Sequence, residues 1–218
     1  MCIKNSLSRL NTAGFVFLTS IMFCLLINSE VVQAQEVSLK VFKSKLTAQN
    51  AKPARNFLDL KERKMLDLIA ASYRPEDIDM FVLFGRNTRV NIMLPSSKNI
   101  ASFGEHFKIN IQDGWDTHNK GVLINLGKDL NIQKQFDVVK TLSQLETWYA
   151  EAEIEIGNKT GYQLRKNGPI DNLIRVEKGD IILFKAIDRS FYAVGMVQRL
   201  EESHEGQLVI EWKLPKSF

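Results

Sequence analysis

The feature that most restricts this chain is the spacing of its C-terminal third. Residues 173–176, 181–187, 191–200 and 207–214 are short apolar-rich runs. Between them lie Glu177-Lys178-Gly179-Asp180, Asp188-Arg189-Ser190 and the charged stretch 201–206. Runs this short are strand-sized, and turns this short force successive strands to lie antiparallel. The expected fold is therefore mainly β, an antiparallel sandwich or small barrel.

The same rhythm extends upstream. Residues 79–84 and 89–94 flank Gly85-Arg86-Asn87-Thr88, a hairpin loop. In 106–112, Phe107, Ile109 and Ile111 alternate with Lys108 and Asn110, which predicts a strand, with 122–126 as its return partner across the polar loop 113–121. Residues 37–42 alternate as an opening strand, and 43–56, polar and containing Pro53, reads as a linker. Residues 57–73 carry the expected amphipathic helix, with Leu58, Met65, Leu68, Ile69 and Ser72 on one stripe, Asn56 as its cap and Arg74-Pro75 as its stop. Ser143 with Glu146 predicts a short helix over 142–148. The alternation of Ala150, Ala152, Ile154 and Ile156 with Glu151, Glu153 and Glu155 predicts a strand over 149–156 with an acidic outer face.

The segment from Val176 to Phe184, with 191–197 after it, resembles small barrels of the SH3-like and PUA-like kind. In those, a Lys-Gly-Asp turn (here Lys178-Gly179-Asp180) feeds a core strand and a glycine (here Gly195) eases the next one.

The N-terminus has the three parts of a cleavable secretory signal: Lys4 and Arg9, an apolar run over 13–27, and Val32-Gln33-Ala34 before a cut at Ala34–Gln35. The run is shorter than the roughly 20 apolar residues a spanning helix needs, and no later run approaches that length. Removing 1–34 takes Lys4, Arg9 and Glu30, so the net charge falls from +4 to +3. It also takes Cys2 and Cys24, the two cysteines of the chain. A disulfide-free exported chain of this size points to the bacterial periplasm or to secretion. The expected organisation is a signal peptide over 1–34, a strand plus basic linker over 35–56 and one β-rich domain over 57–218, with 128–135 as the place where a subdivision would fall.

Chemistry is sparse. His106, His118 and His204 lack metal-ligand spacing, so neither metal nor cofactor is expected. After residue 34 there is no thiol, no G-x-S-x-G turn and no glycine-rich phosphate loop. The loop 113–121 is the richest spot: Asp113, Trp115, Asp116 and His118 are the candidate ligand-binding residues, with the tryptophan as a stacking surface. Asp, Gly and Asn are also ordinary loop residues. The second feature is charge. Lys40, Lys43, Lys45, Lys52, Arg55, Lys61, Arg63 and Lys64 face only Asp59 and Glu62 in that stretch, and Lys52, Arg55, Lys61, Arg63 and Lys64 form the candidate basic surface.

These readings converge on an exported, non-catalytic binding or assembly module that engages an envelope protein, a glycan or an anionic surface. Nucleic acid fits the charge but not the export signal. The alternative is an envelope hydrolase of glycans or peptidoglycan, with carboxylate acid/base chemistry from Asp113, Asp116 and His118 or from Glu151, Glu153 and Glu155.

Overall fold

The computed structural model describes residues 36–85 and 89–218; residues 1–35, where the signal peptide is expected, and Arg86, Asn87 and Thr88 lie outside the described residues. Among the described residues, ten strands form two five-stranded antiparallel sheets. Sheet I orders β1 (Leu39–Thr47), β10 (Gln207–Pro215), β9 (Phe191–Glu201), β8 (Ile181–Ala186) and β6 (Gly121–Gly127). Sheet II orders β3 (Lys64–Leu66), β2 (Phe57–Asp59), β4 (Met80–Gly85), β5 (Arg89–Met93) and β7 (Leu173–Arg175). The four C-terminal strands thus lie within a residue or two of their sequence-derived bounds, but only β8, β9 and β10 follow one another in one sheet, while β7 pairs with β5 in sheet II. The mainly β expectation is what the chain adopts, with few helices.

Alternation places the inner faces together. Leu208, Ile210, Trp212 and Leu214 of β10 share one core with Met80 and Val82 of β4 and with Val90 and Ile92 of β5. Both outer faces are also covered. Ile181, Leu183 and Val194 meet the helices α3 (Leu130–Val138) and α4 (Leu142–Glu155), whose Phe136, Leu145, Trp148, Tyr149 and Ala152 are buried there. Phe57, Phe81, Leu83 and Met93 on sheet II meet Ala71, Ile78, Phe107, Ile111 and Trp115. Four layers result. Strands buried on both faces are apolar at consecutive positions, which explains the unbroken runs Ile181-Ile182-Leu183-Phe184 and Met80-Phe81-Val82-Leu83-Phe84.

Three expected elements form differently. The helix expected over 57–73 is a hairpin of β2 and β3 followed by the short α1 (Leu68–Ser72). Phe57 and Leu58 each enter a different core, the signature of a strand, and β2 pairs with β4. Asn56 donates to the Val82 carbonyl instead of capping a helix, and Asp67 caps α1 by accepting from Ala70 N at 2.8 Å. The strand expected over 106–112 is the helical turn α2 (Glu105–Phe107) running into a π-helical turn, Lys108–Gln112. Phe107 and Ile111, four apart, are buried while Ile109 is exposed. The strand expected over 149–156 is the C-terminal part of α4, because Leu145, Trp148, Tyr149, Ala152 and Ile156 have helical spacing and pack on sheet I. Thr141 is its cap, accepting from Gln144 N, so the helix starts where the sequence placed it but from a different capping residue. Residues 43–47, expected in the linker, complete β1.

Trp212 is fully buried between the sheets, and its Nε1–H donates to Ser44 Oγ at 3.0 Å. It faces Gly195 across β9, where an added Cβ would stand 2.6 Å from the indole. No side chain fits there without moving the ring. We expect Gly195→Ala to cost about 1–3 kcal/mol, read as a lower denaturant midpoint with an unchanged slope; a variant as stable as the wild type would refute this account of Gly195.

Candidate ligand-binding groove

The helical layer on sheet I leaves a groove between α3 and α4. One cavity of about 430 Å³ lies between Val138 and Val139 of the α3 end and Ser143, Gln144 and Thr147 of α4. A second, of about 410 Å³, continues past Ile132, Ala152 and Glu155 to Asp129 and Lys159. Gln135, Trp148 and Glu151 line both, so the two are one trough. From Ser143 to Ile156 it runs along α4 for roughly 20 Å at 1.5 Å per residue.

Its walls are fixed by buried polar contacts. Lys213 projects from β10 beneath α3, and its Nζ donates to the carbonyls of Phe136 at 2.5 Å, Asp137 at 3.1 Å and Val139 at 3.0 Å. These are carbonyls that the helix end leaves unpaired, and the ammonium also meets the negative end of the helix dipole. Burial lowers the pKa of Lys213. At the far end Lys159 Nζ donates to the Leu126 carbonyl, passing over Gly127, whose φ is +84° and where a Cβ would stand 2.8 Å from that ammonium. Gln144 Oε1 accepts from Lys140 N at 2.8 Å, closing the turn between the helices.

Helical geometry sorts the three glutamates expected on one strand face. Glu151 and Glu155, four apart, line the groove, whereas Glu153 lies beside Tyr149. All three are exposed. The Tyr149 pKa is raised, first by burial and then by the nearby Glu153.

The loop 113–121 is built differently from a ligand platform. Trp115 is 5% exposed, packs on Phe57 at 5.7 Å between ring centroids, and donates from Nε1 to Ser72 Oγ at 3.0 Å. Its ring is a core element and offers no open face for stacking. His118 Nε2–H donates to the Ile111 carbonyl at 2.8 Å, and Asn119 Nδ2 donates to the carbonyls of Glu76 and Ile78. Asp113 and Asp116 remain at the surface, Asp113 with Lys108 at 3.9 Å. With 106–112 helical, this loop joins a π turn to β6 and is not the tip of a hairpin.

The basic residues are split between the two ends of the sheets. Lys52 and Arg55 sit by the end of β1, where Arg55 N donates to Thr47 Oγ1. Lys61 lies over the rings of Phe191 and Phe218 at 5.7 and 5.4 Å, and Lys64 pairs with Glu62. Arg63, at φ 57°, turns the chain between β2 and β3, with Nε and Nη2 buried and without a hydrogen-bond partner. Thr47 and Phe218 stand at opposite ends of β10, so the two groups lie on the order of 30 Å apart.

Sequence reasoning did not pick out a buried charge cluster around Arg189. Arg189, from the turn between β8 and β9, donates to Asp79 Oδ2 at 2.8 Å and Asp59 Oδ1 at 3.1 Å, and also to the Asp77 carbonyl. Arg74 joins from the other side, 2.6 Å from Asp77 and 3.4 Å from Asp59. Three carboxylates thus share two guanidinium groups, and the cluster ties sheet I to sheet II. Burial pushes the Asp79 carboxyl up to about 7, against the opposing pull of Arg189 and Leu60 N–H.

No family model and no curated protein matches this chain. A crystal structure of a DUF4466 family protein from Parabacteroides merdae is similar with a TM-score of 0.49 and 12% identity, over 81% of this chain and 54% of that one. The chain therefore spans about half the length of that protein.

The Asp79 shift fixes a sign. A carboxyl whose pKa is higher folded than unfolded contributes stability that is complete below its unfolded value near 3.8 and lost as pH rises through about 7. In urea melts from pH 4 to 8, wild type should lose stability across that window relative to Asp79→Asn, whose neutral amide does not titrate. Parallel profiles for the two proteins would show that Asp79 does not hold the proton. Arg189→Met, which leaves buried carboxylates without their cation, should cost about 3–5 kcal/mol at pH 8.

Proposed function

We propose that this chain is an exported, non-catalytic binding module that takes a neutral, hydroxyl-rich ligand, a glycan, in the groove between α3 and α4. The observation that carries the reading is the pair of adjoining cavities sharing Gln135, Trp148 and Glu151. Their volumes fall in the range of small-ligand sites. Amide, hydroxyl and carboxylate side chains rim an apolar strip of Ile132, Val138, Val139 and Ala152. That combination suits a ring with an apolar face and hydroxyls at its edge. Asp129, Glu151 and Glu155 against Lys159 leave the groove acidic, which disfavours an anionic ligand. Export rests on the sequence of residues 1–34, and among the described residues no helix is long and apolar enough to cross a membrane.

Binding is favoured over hydrolysis by the exposure of the carboxylates. A glycosidic general acid is a carboxyl held in a dry pocket so that it keeps its proton near neutrality. Glu151 and Glu155 share a helix face, but both are solvent-exposed.

The test is isothermal titration of the purified protein with neutral cello-, xylo-, chito- and malto-oligosaccharides. At least one should bind with a dissociation constant of about 1 mM or tighter. Gln135→Ala with Glu151→Ala should weaken it at least about tenfold without moving the melting temperature. Unchanged affinity in that double variant, or silence across the panel, would refute the groove, and release of reducing ends would refute the non-catalytic assignment.

A further inference from the structure

The outer edge of β1 is the long unpaired sheet edge among the described residues. At the other side of sheet I, β6 is closed by Ile170, which exchanges two backbone hydrogen bonds with Leu123. The outer strands of sheet II, β3 and β7, are three residues each. β1 is nine residues long and pairs with β10 along its whole length without a bulge.

Its outward side is bracketed. Leu39 N donates to the Lys140 carbonyl at 2.7 Å, and Thr47 N donates to the Arg55 carbonyl at 3.1 Å. In an antiparallel ladder alternate residues point their N–H and C=O the same way. Val41, Lys43 and Lys45 therefore present their backbone groups outward between the two brackets. Val41 is 51% exposed and the Lys43 side chain 66%.

Charge decides the occupant. Lys40, Lys43 and Lys45 lie along the open stretch, with exposed Lys140 and Arg55 at the two brackets, against Glu211, which pairs with Lys43 at 3.2 Å, and Glu201, whose pKa Lys45 helps to lower. A second copy pairing antiparallel through the same stretch would set Lys43 against Lys43, a destabilising like-charge pair. Edge lysines block self-association in this way while leaving the ladder open to a strand of opposite charge.

We propose that the outer edge of β1 docks an extended acidic segment of a partner protein, which adds to sheet I as a sixth strand across Val41, Lys43 and Lys45. This surface is separate from the groove, so either assignment can fail without the other.

The probe is a fluorescein-labelled heptapeptide of alternating Glu and Val, with a Lys/Val peptide as control, followed by fluorescence anisotropy. The acidic peptide should bind, the basic one should bind at least about tenfold more weakly, and the affinity should fall with added salt. Lys43→Pro removes an outward N–H that no internal hydrogen bond uses, a placement proline tolerates on an edge strand. It should weaken the acidic peptide at least about tenfold with an unchanged melting temperature. Lys43→Glu with Lys45→Glu should do the same through charge. Independently of any variant, amide exchange at Val41, Lys43 and Lys45 should slow in the wild-type complex. No binding to wild type, equal binding of both peptides, unchanged exchange at these amides, or equal binding by a folded Lys43→Pro protein would each overturn the proposal. A wild-type dimer in sedimentation that Lys43→Pro abolishes would overturn the choice of occupant.

Discussion

The architecture depends on the contact between the two sheets at Trp212. An indole that is fully buried needs a donor partner and a flat cavity, and Ser44 on one neighbouring strand and Gly195 on the other supply them. Both neighbours belong to sheet I, so the ring fixes the pairing of β1, β10 and β9 while its face closes the interior against sheet II. Every other layer is stacked outward from this interior.

Two buried cationic contacts then attach the outer parts. Arg189 carries sheet I to sheet II by gathering Asp59 and Asp79 from chain segments well over a hundred residues away. Lys213 carries α3 to sheet I by taking three helix-end carbonyls. The physics is shared: a charge withdrawn from water is tolerated when fixed dipoles or counter-charges replace the lost solvation. The outcomes differ. Burial lowers the pKa of Lys213 among its neutral carbonyls, whereas burial, and after it the nearby Asp59, pushes the Asp79 carboxyl towards its protonated form. The groove is a by-product of the Lys213 contact, since α3 stands beside α4 where Lys213 and the cap at Thr141 hold them.

Much of the fold was legible because strand alternation and turn chemistry are local. The meander of β8, β9 and β10 needed only its period and its turns, whereas pairing with β5 drew β7 into the other sheet. The failures share a cause. Between 57 and 73 a helical stripe and a hairpin use the same residues, and pairing with β4 decided between them. At 107–111 and 149–156, apolar residues two apart satisfied both a strand and a helix, because an amphipathic helix places some of them on its exposed side, as it does Ile109 and Ile154. The candidate site was less legible still. Trp115 has a polar sequence neighbourhood, yet its ring lies against Phe57 from a strand more than fifty residues earlier. Gln135, Trp148 and Glu151 meet only because two helices lie side by side.

By itself the sequence determined a β-rich chain with a basic opening stretch and no cysteine after residue 24, since composition, periodicity and turn residues are properties of neighbours along the chain. Only the tertiary structure decided which polar residues are structural and which face an opening. It turned His118 and Asn119 onto backbone carbonyls of Ile111, Glu76 and Ile78, sent Lys213 under a helix, split the basic residues to opposite ends of the sheets and, among the described residues, left the β1 edge unpaired. Those outcomes follow from packing between segments far apart in sequence, and no local pattern encodes which distant backbone will supply a partner.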